Sequence, residues 1–185
     1  DVEKGTNPGF LFQQNTMRDA VVAAVNFHIF HRHGDRVRMA NVAQMVNVLQ
    51  AMLLTDGPRM IKTPTYHAFA LYTDHHDATF VDIGGRDDVA GAVAPHVDAT
   101  VSFKDDAYTI SVVHEGLHDA ADLSFELPAD VTELLRAEIL TSAAPDSHNT
   151  FDAPDEVAVA AFDGVRVEGR TVSFTLPPRS VATVR

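Results

Sequence analysis

The hydrophobic pattern of this chain changes period once, near residue 78. Before it, apolar residues recur at helical spacing. Within 15–33, Met17, Val21, Ala24 and His28 follow one helical stripe, and Val22, Val25 and Ile29 follow another. Two apolar sides predict a helix held between two layers. Thr16 is placed to cap it, with Asp19 three residues on as an approximate capping box, and a carboxylate there suits the positive end of the helix dipole. His31, Arg32 and His33 stand at the opposite end, where cations are favoured, and Gly34 stops the helix. Residues 37–42 then read as a buried strand, followed by a polar stop at Gln44 and a second apolar run over 45–49. A strand that ends on an amide side chain, with Asn47 close behind, fits the rim of a parallel barrel, where ligands meet the C-terminal ends of strands. Residues 51–54 and 60–63 flank Asp56-Gly57-Pro58-Arg59 and predict a hairpin. Thr63 and Pro64 then open a second helix running to about His75.

From about Ala78 the pattern has period two. Val97, Ala99, Val101 and Phe103 alternate with polar residues, and after Asp105-Asp106 so do Tyr108, Ile110 and Val112. Further runs at 123–127, 136–140, 157–162, 172–176 and 181–184 are punctuated by Gly, Pro, Asn and Asp, as in an antiparallel sandwich. Residues 78–95, with Gly84-Gly85, read as a linker. Residues 1–14 read as a loop by Gly5, Asn7-Pro8 and Gly9, with Phe10, Leu11 and Phe12 either packing or lining a groove. The fold class expected is mainly β with α: an antiparallel, jelly-roll-like β-sandwich over 81–185, preceded over 1–80 by the last helix, strand and helix of a (β/α)8 barrel.

At 185 residues the chain is long enough for one ordinary domain or two small ones. A net charge of −12 argues against nucleic acid or an anionic membrane as partner. The chain has no cysteine, so disulfides and thiolate metal sites are excluded. No apolar run approaches the roughly 20 residues that span a bilayer, and DVEKGTNPGF has no signal-peptide pattern. His28, His31 and His33 form an H-x-x-H-x-H set, but His33 points away from the other two and no acidic partner is fixed nearby. The helix dipole accounts for them, and no metal is expected. Asp74, His75, His76 and Asp77 read as a solvated helix end. His148, Asn149 and Thr150 sit in a turn and should bond to backbone. Ser180 lacks a nucleophile elbow. No phosphate loop or dinucleotide fingerprint is present, and no cofactor is expected.

The segments GTNPGFLFQQNTMRDA, DRVRMANVAQMVNVLQAMLLTDG and TPTYHAFALY, then LTSAAPDSHNTFDAP and LPPRSVATVR, together resemble the C-terminal part of family 51 α-L-arabinofuranosidases. The resemblance implies that 15–33 is the seventh barrel helix, 37–42 the eighth strand and 64–75 the eighth helix. It also implies retaining hydrolysis of terminal arabinofuranosyl groups by two Glu residues, one ending the fourth strand and one the seventh. Such a pair stands about 5–5.5 Å apart. By the same resemblance both lie upstream of this chain, which therefore supplies no catalytic residue and is expected to be inactive alone. Asp35 precedes the eighth strand, on the barrel's stability face. Gln44 matches the family's Gln that bonds arabinose in the −1 subsite. A neutral amide offers donors and an acceptor to a sugar hydroxyl without disturbing a carboxylate pair. Asn47 is the second candidate, equally suited to bracing the loop. The expected partners are an arabinose-containing oligosaccharide or polysaccharide, the remainder of the barrel and further copies in a homo-oligomer; the expected address is the cytoplasm. A non-catalytic carbohydrate-binding or structural sandwich module is the alternative. The absence of Trp weighs against sugar binding by the sandwich itself.

Overall fold

The structure, a computed structural model, describes residues 13–83 and 95–185. It is mostly β-sheet with two short helices, and no closed barrel is seen among the described residues. Helix α1 spans Met17–Arg32 and α2 spans Pro64–Leu71, followed by a 3-10 turn over Thr73–His75. The hairpin strands are β1 (Leu53–Asp56) and β2 (Arg59–Lys62). The sandwich strands follow as β3 (Thr79–Val81), β4 (Val97–Lys104), β5 (Ala107–His114), β6 (Ala121–Glu126), β7 (Ala137–Thr141), β8 (Val159–Ala161), β9 (Arg166–Glu168), β10 (Thr171–Leu176) and β11 (Ser180–Val184).

The local chemistry explains most of these elements. Thr16 and Asp19 form a full capping box on α1. The Thr63 hydroxyl accepts the Tyr66 N–H, and Pro64 occupies the first helical position of α2. In the β1–β2 turn Gly57 has φ +57°, as a two-residue hairpin loop with glycine first requires. Asp105 and Asp106 both have positive φ in the β4–β5 turn, which only a short polar side chain tolerates readily.

Two antiparallel sheets build the sandwich. The larger runs β3-β4-β5-β11-β7-β8 and the smaller β6-β10-β9. The C-terminal strand therefore lies near the centre, between β5 and β7. Strand β6 alternates between buried and exposed residues, with Ala121, Leu123 and Phe125 inward. They meet Ile110, Val112 and Ala182 of the larger sheet in the sandwich core. Strand β11 is buried throughout, because its second face is covered by the helices. There Met17, Ala24, Leu71 and Tyr72 pack against Val113, Leu140 and Val181. The stripe of α1 led by Met17, Ala24 and His28 is buried, and Val22 and Ile29 of the other stripe are exposed.

Four expectations are corrected. Residues 37–42 form no strand; Val37 and Met39 are exposed, and no described strand pairs with this segment. A barrel strand is held by hydrogen bonds from neighbours on both sides, and the hydrophobic pattern cannot provide them. The second helix stops at Leu71 and tightens into a 3-10 turn. Residues 79–81, read as linker, pair with β4 as an edge strand, whereas Gly84-Gly85 lie outside the described residues, as do Phe10, Leu11 and Phe12. Strand β9 was not expected: with three residues it is too short for a period to register.

The helix-facing core predicts a sharp contrast between two leucines. Leu140→Ala, at a side chain with no exposure, should lose about 2–5 kcal/mol in urea denaturation. Leu135→Ala, at a side chain 56% exposed, should change stability by less than about 0.5 kcal/mol.

Candidate functional site

The segment 44–52 carries both sequence-predicted site residues. Gln44 is exposed, with φ +61°. Asn47 and Leu49 have φ +59° and +51°. A left-handed conformation costs residues such as Gln44 and Leu49 about 1–2 kcal/mol each, and an asparagine less, so this loop must be held by its surroundings. Asn47 supplies one restraint. Its Nδ2 donates to the Thr55 hydroxyl (2.9 Å), its Oδ1 accepts the Thr55 N–H (2.8 Å), and its own N–H bonds the Leu53 carbonyl. In this structure Asn47 braces the loop against β1, while Gln44 presents its amide outward. The geometry thus separates two residues that the sequence offered for one role.

A second set of restraints converges on the buried Ala51. Its carbonyl accepts from Asn15 Nδ2 (2.9 Å) and from the Thr63 hydroxyl (2.8 Å). Beside it, Gln50 donates to Asp19 at 3.1 Å, so the carboxylate of the α1 capping box also steadies the loop. Asn15 and Thr63 carry no motif; they stand 36 and 12 residues from Ala51. Their one signal is that each begins a helix, where a polar side chain is expected to bond backbone.

Behind the loop, a polar seam joins the helices to the larger sheet. His75 lies between Ser102 (2.7 Å at Nδ1) and Ser111 (2.8 Å at Nε2). Ser111 contacts Thr183 at 2.7 Å, and Thr183 donates to the Leu71 carbonyl. The carbonyl at the end fixes the direction as far as the imidazole: Ser111 donates to Thr183 and His75 Nε2–H donates to Ser111, and in the neutral ring Nδ1 then accepts from Ser102. The row is complete with a neutral imidazole. Burial lowers His75 from 6.5 to about 3, helped by the nearby His31 and His28. Burial likewise lowers His31 to about 4, with His28 adding to it. Next to them His28 Nε2 lies 2.5 Å from the Tyr72 hydroxyl, whose pKa is raised by burial and by Asp98. Asp98 takes a two-pronged contact from Arg32 at 3.0–3.2 Å and lies 3.5 Å from His28. Burial alone would raise its pKa, but hydrogen bonds from His28 and Arg32 outweigh that and hold the carboxyl far below its usual range.

These positions correct two sequence readings. His31, placed as a cation at the helix end, is instead lowered to about 4, chiefly by burial. His75, read as solvated, is buried between two strands. Its neighbour Asp74 pairs with Arg136 and with Arg185 (3.2 Å). The turn at 148–150 does bond backbone as expected: His148 donates to the Asp146 carbonyl (3.0 Å), and the Ala153 N–H reaches the Thr150 hydroxyl (3.0 Å). Thr100, Ser102 and Ser111 alternate with apolar residues, so period two alone assigns them to solvent; the helices cover them instead.

The family model described as alpha-L-arabinofuranosidase C-terminal domain matches residues 1–180. An intracellular exo-alpha-L-arabinofuranosidase from Bacteroides ovatus is 38% identical over 192 residues; the alignment covers 100% of this chain and 37% of the relative. An intracellular exo-alpha-(1->5)-L-arabinofuranosidase from Streptomyces lividans is 26% identical, over 96% of this chain and 28% of its own length. The crystal structure of the GH51 arabinofuranosidase from Xanthomonas axonopodis pv. citri superposes with a TM-score of 0.85 at 42% identity, over 98% of this chain and 38% of that one. The chain thus spans under two fifths of each of these relatives.

The buried imidazoles predict a pH dependence with a definite sign. Because His31 and His75 are lowered to about 4 and about 3 from 6.5, the unfolded chain binds protons below pH 6.5 that the folded chain refuses. Their contribution is complete above pH 6.5 and declines as pH falls towards 4. Asp98, also lowered, extends the loss to more acid pH. Urea denaturation at stepped pH should show stability falling from pH 7 to 4.5. In His75→Gln the proton uptake on unfolding should shrink by about one proton near pH 5, and by only about a quarter of a proton at pH 7.

Proposed function

The chain belongs to the alpha-L-arabinofuranosidase C-terminal domain family, and from that premise we propose that it is the C-terminal portion of a retaining α-L-arabinofuranosidase. The complete protein releases terminal arabinofuranosyl groups from arabinan, arabinoxylan or arabino-oligosaccharides. Its acid/base and nucleophile carboxylates come from the upstream part, and this portion alone is inactive. The observation that carries this reading is the superposition, at 42% identity over 98% of the chain, on 38% of a GH51 arabinofuranosidase.

Within that enzyme Gln44 is the group that meets substrate. Its outward amide can donate to one sugar hydroxyl and accept from another while adding no charge beside a carboxylate pair. Asn47 acts one step back by holding the loop, with direct sugar contact its secondary role. The outer face of the helices, with Val22 and Ile29 exposed, is covered by the remainder of the barrel. The Bacteroides relative is named intracellular, and we place this protein in the cytoplasm on that basis. We also propose that the complete protein is a homo-oligomer.

Hydrolysis of p-nitrophenyl α-L-arabinofuranoside tests the reading. A protein extended upstream through the whole barrel should turn over, and the present chain should not. In the extended protein Gln44→Ala should lower kcat/KM by about 10–100-fold, the loss of one or two hydrogen bonds to the reacting sugar. Activity of the short chain would overturn the assignment.

A further inference from the structure

Asn149 belongs to the loop between β7 and β8, far from the substrate loop in sequence, and is 6% exposed. Its amide is fully used. Oδ1 accepts the Val157 N–H at 2.7 Å, and Nδ2 donates to the Val157 and Lys62 carbonyls, both at 2.9 Å. Val157 has no exposure and sits in the helix-facing core, so this end of the link is fixed to the sandwich. Lys62 ends β2 and precedes Thr63, whose hydroxyl donates to the carbonyls of Ala51 (2.8 Å) and Met52 (3.2 Å). The Met52 and Leu53 N–H groups both donate to the Met45 carbonyl, at 3.0 and 3.1 Å. Met45 directly follows Gln44. A relay thus runs from the sandwich to the backbone beside Gln44.

The same sandwich loop grips the other side of the site. The carbonyls of Ser147 and Pro145 accept the N–H groups of Met17 and Arg18, both at 2.9 Å. These are orphan donors in the first turn of α1. That turn carries Asp19, which receives Gln50. Gln14 donates to His148 at 2.6 Å just ahead of it. Both tethers meet at residues 50–51, where the backbone has just left its left-handed stretch.

We infer that Asn149 is a positioning residue through which the sandwich holds the Gln44 loop in its binding conformation. The inference rests on the proposed role of Gln44 in sugar binding. It gives the sandwich a part in substrate affinity without any sandwich side chain touching sugar. The link is specific to an amide. An aspartate could still accept from the Val157 N–H, but its second oxygen would face two carbonyls and break the bond to Lys62.

Asn149→Asp is therefore the variant to make. Amide hydrogen exchange in the present chain should quicken by about tenfold or more at Asn47, Met52 and Leu53, while β5 and β11 keep their protection. In the upstream-extended protein KM for p-nitrophenyl α-L-arabinofuranoside should rise by about tenfold with kcat within about twofold, as when binding shared by ground and transition states is lost. Combined with Gln44→Ala, it should raise KM no further than Gln44→Ala alone, because both act through one contact. If Asn149→Asp does not fold, Thr63→Val cuts the same relay at its next link with the same expectation, and Thr63→Ser restores it. Additive KM effects, or exchange that rises equally across loop and sandwich, would overturn the positioning role. An inactive wild-type extended protein would sink the functional reading alone, and the exchange pattern would still decide whether Asn149 tethers the loop.

Discussion

At its centre the larger sheet is buried on both sides, and the rest of the structure depends on how its outer side is covered. Its inner side is ordinary: Ile110, Val112 and Ala182 meet the smaller sheet in an apolar core. Its outer side carries Thr100, Ser102, Ser111 and Thr183 beside Val113, Leu140 and Val181. Hydroxyl groups buried without partners cost about 1–3 kcal/mol each. The helices therefore have to bring hydrogen-bonding groups as well as methyl groups. They bring His75 and the Leu71 carbonyl, and the row from Ser102 to Leu71 has a single consistent direction only while the imidazole is neutral.

That seam fixes where α1 and α2 lie, and their N-termini in turn fix the loop over 44–52. Asn15 and Thr63, one at the start of each helix, meet on a single carbonyl at Ala51. A loop with three left-handed residues is held at a distance from the sandwich core by a set of polar contacts. Because these contacts are directional, they set orientation as well as position, which apolar packing of an exposed loop could not do. Arg32 and Asp98 close the opposite end of α1 with a part-buried ion pair. The helix is thus pinned to the sandwich at both ends: by backbone carbonyls of residues 145 and 147 at its start and by a charge pair at its finish.

This arrangement ties the helices and the loop to the sandwich in one packed unit. A division of the chain at residue 80 separates the helices from the sheet in sequence, yet α1 packs on β4, β5 and β11. One face of α1 is committed to the sandwich, and the other stays exposed at Val22 and Ile29.

The sequence by itself determined the local elements and the family. Capping residues Thr16 and Thr63, the glycine turn at Gly57 and the period-two runs from β4 onward each follow from interactions within a few residues, which a linear pattern records. Gln44 stands out as a candidate chiefly through resemblance, since an amide after an apolar run is chemically unremarkable alone. Tertiary structure decided the rest. Whether residues 37–42 form a strand depends on neighbours that the pattern does not contain. Whether His31 and His75 are charged depends on burial by β4 and β5, more than twenty residues away. The bonds of Asn15, Thr63 and Asn149 to distant carbonyls have no sequence signature, because a backbone carbonyl is the same at every position and only the fold selects which one a side chain meets.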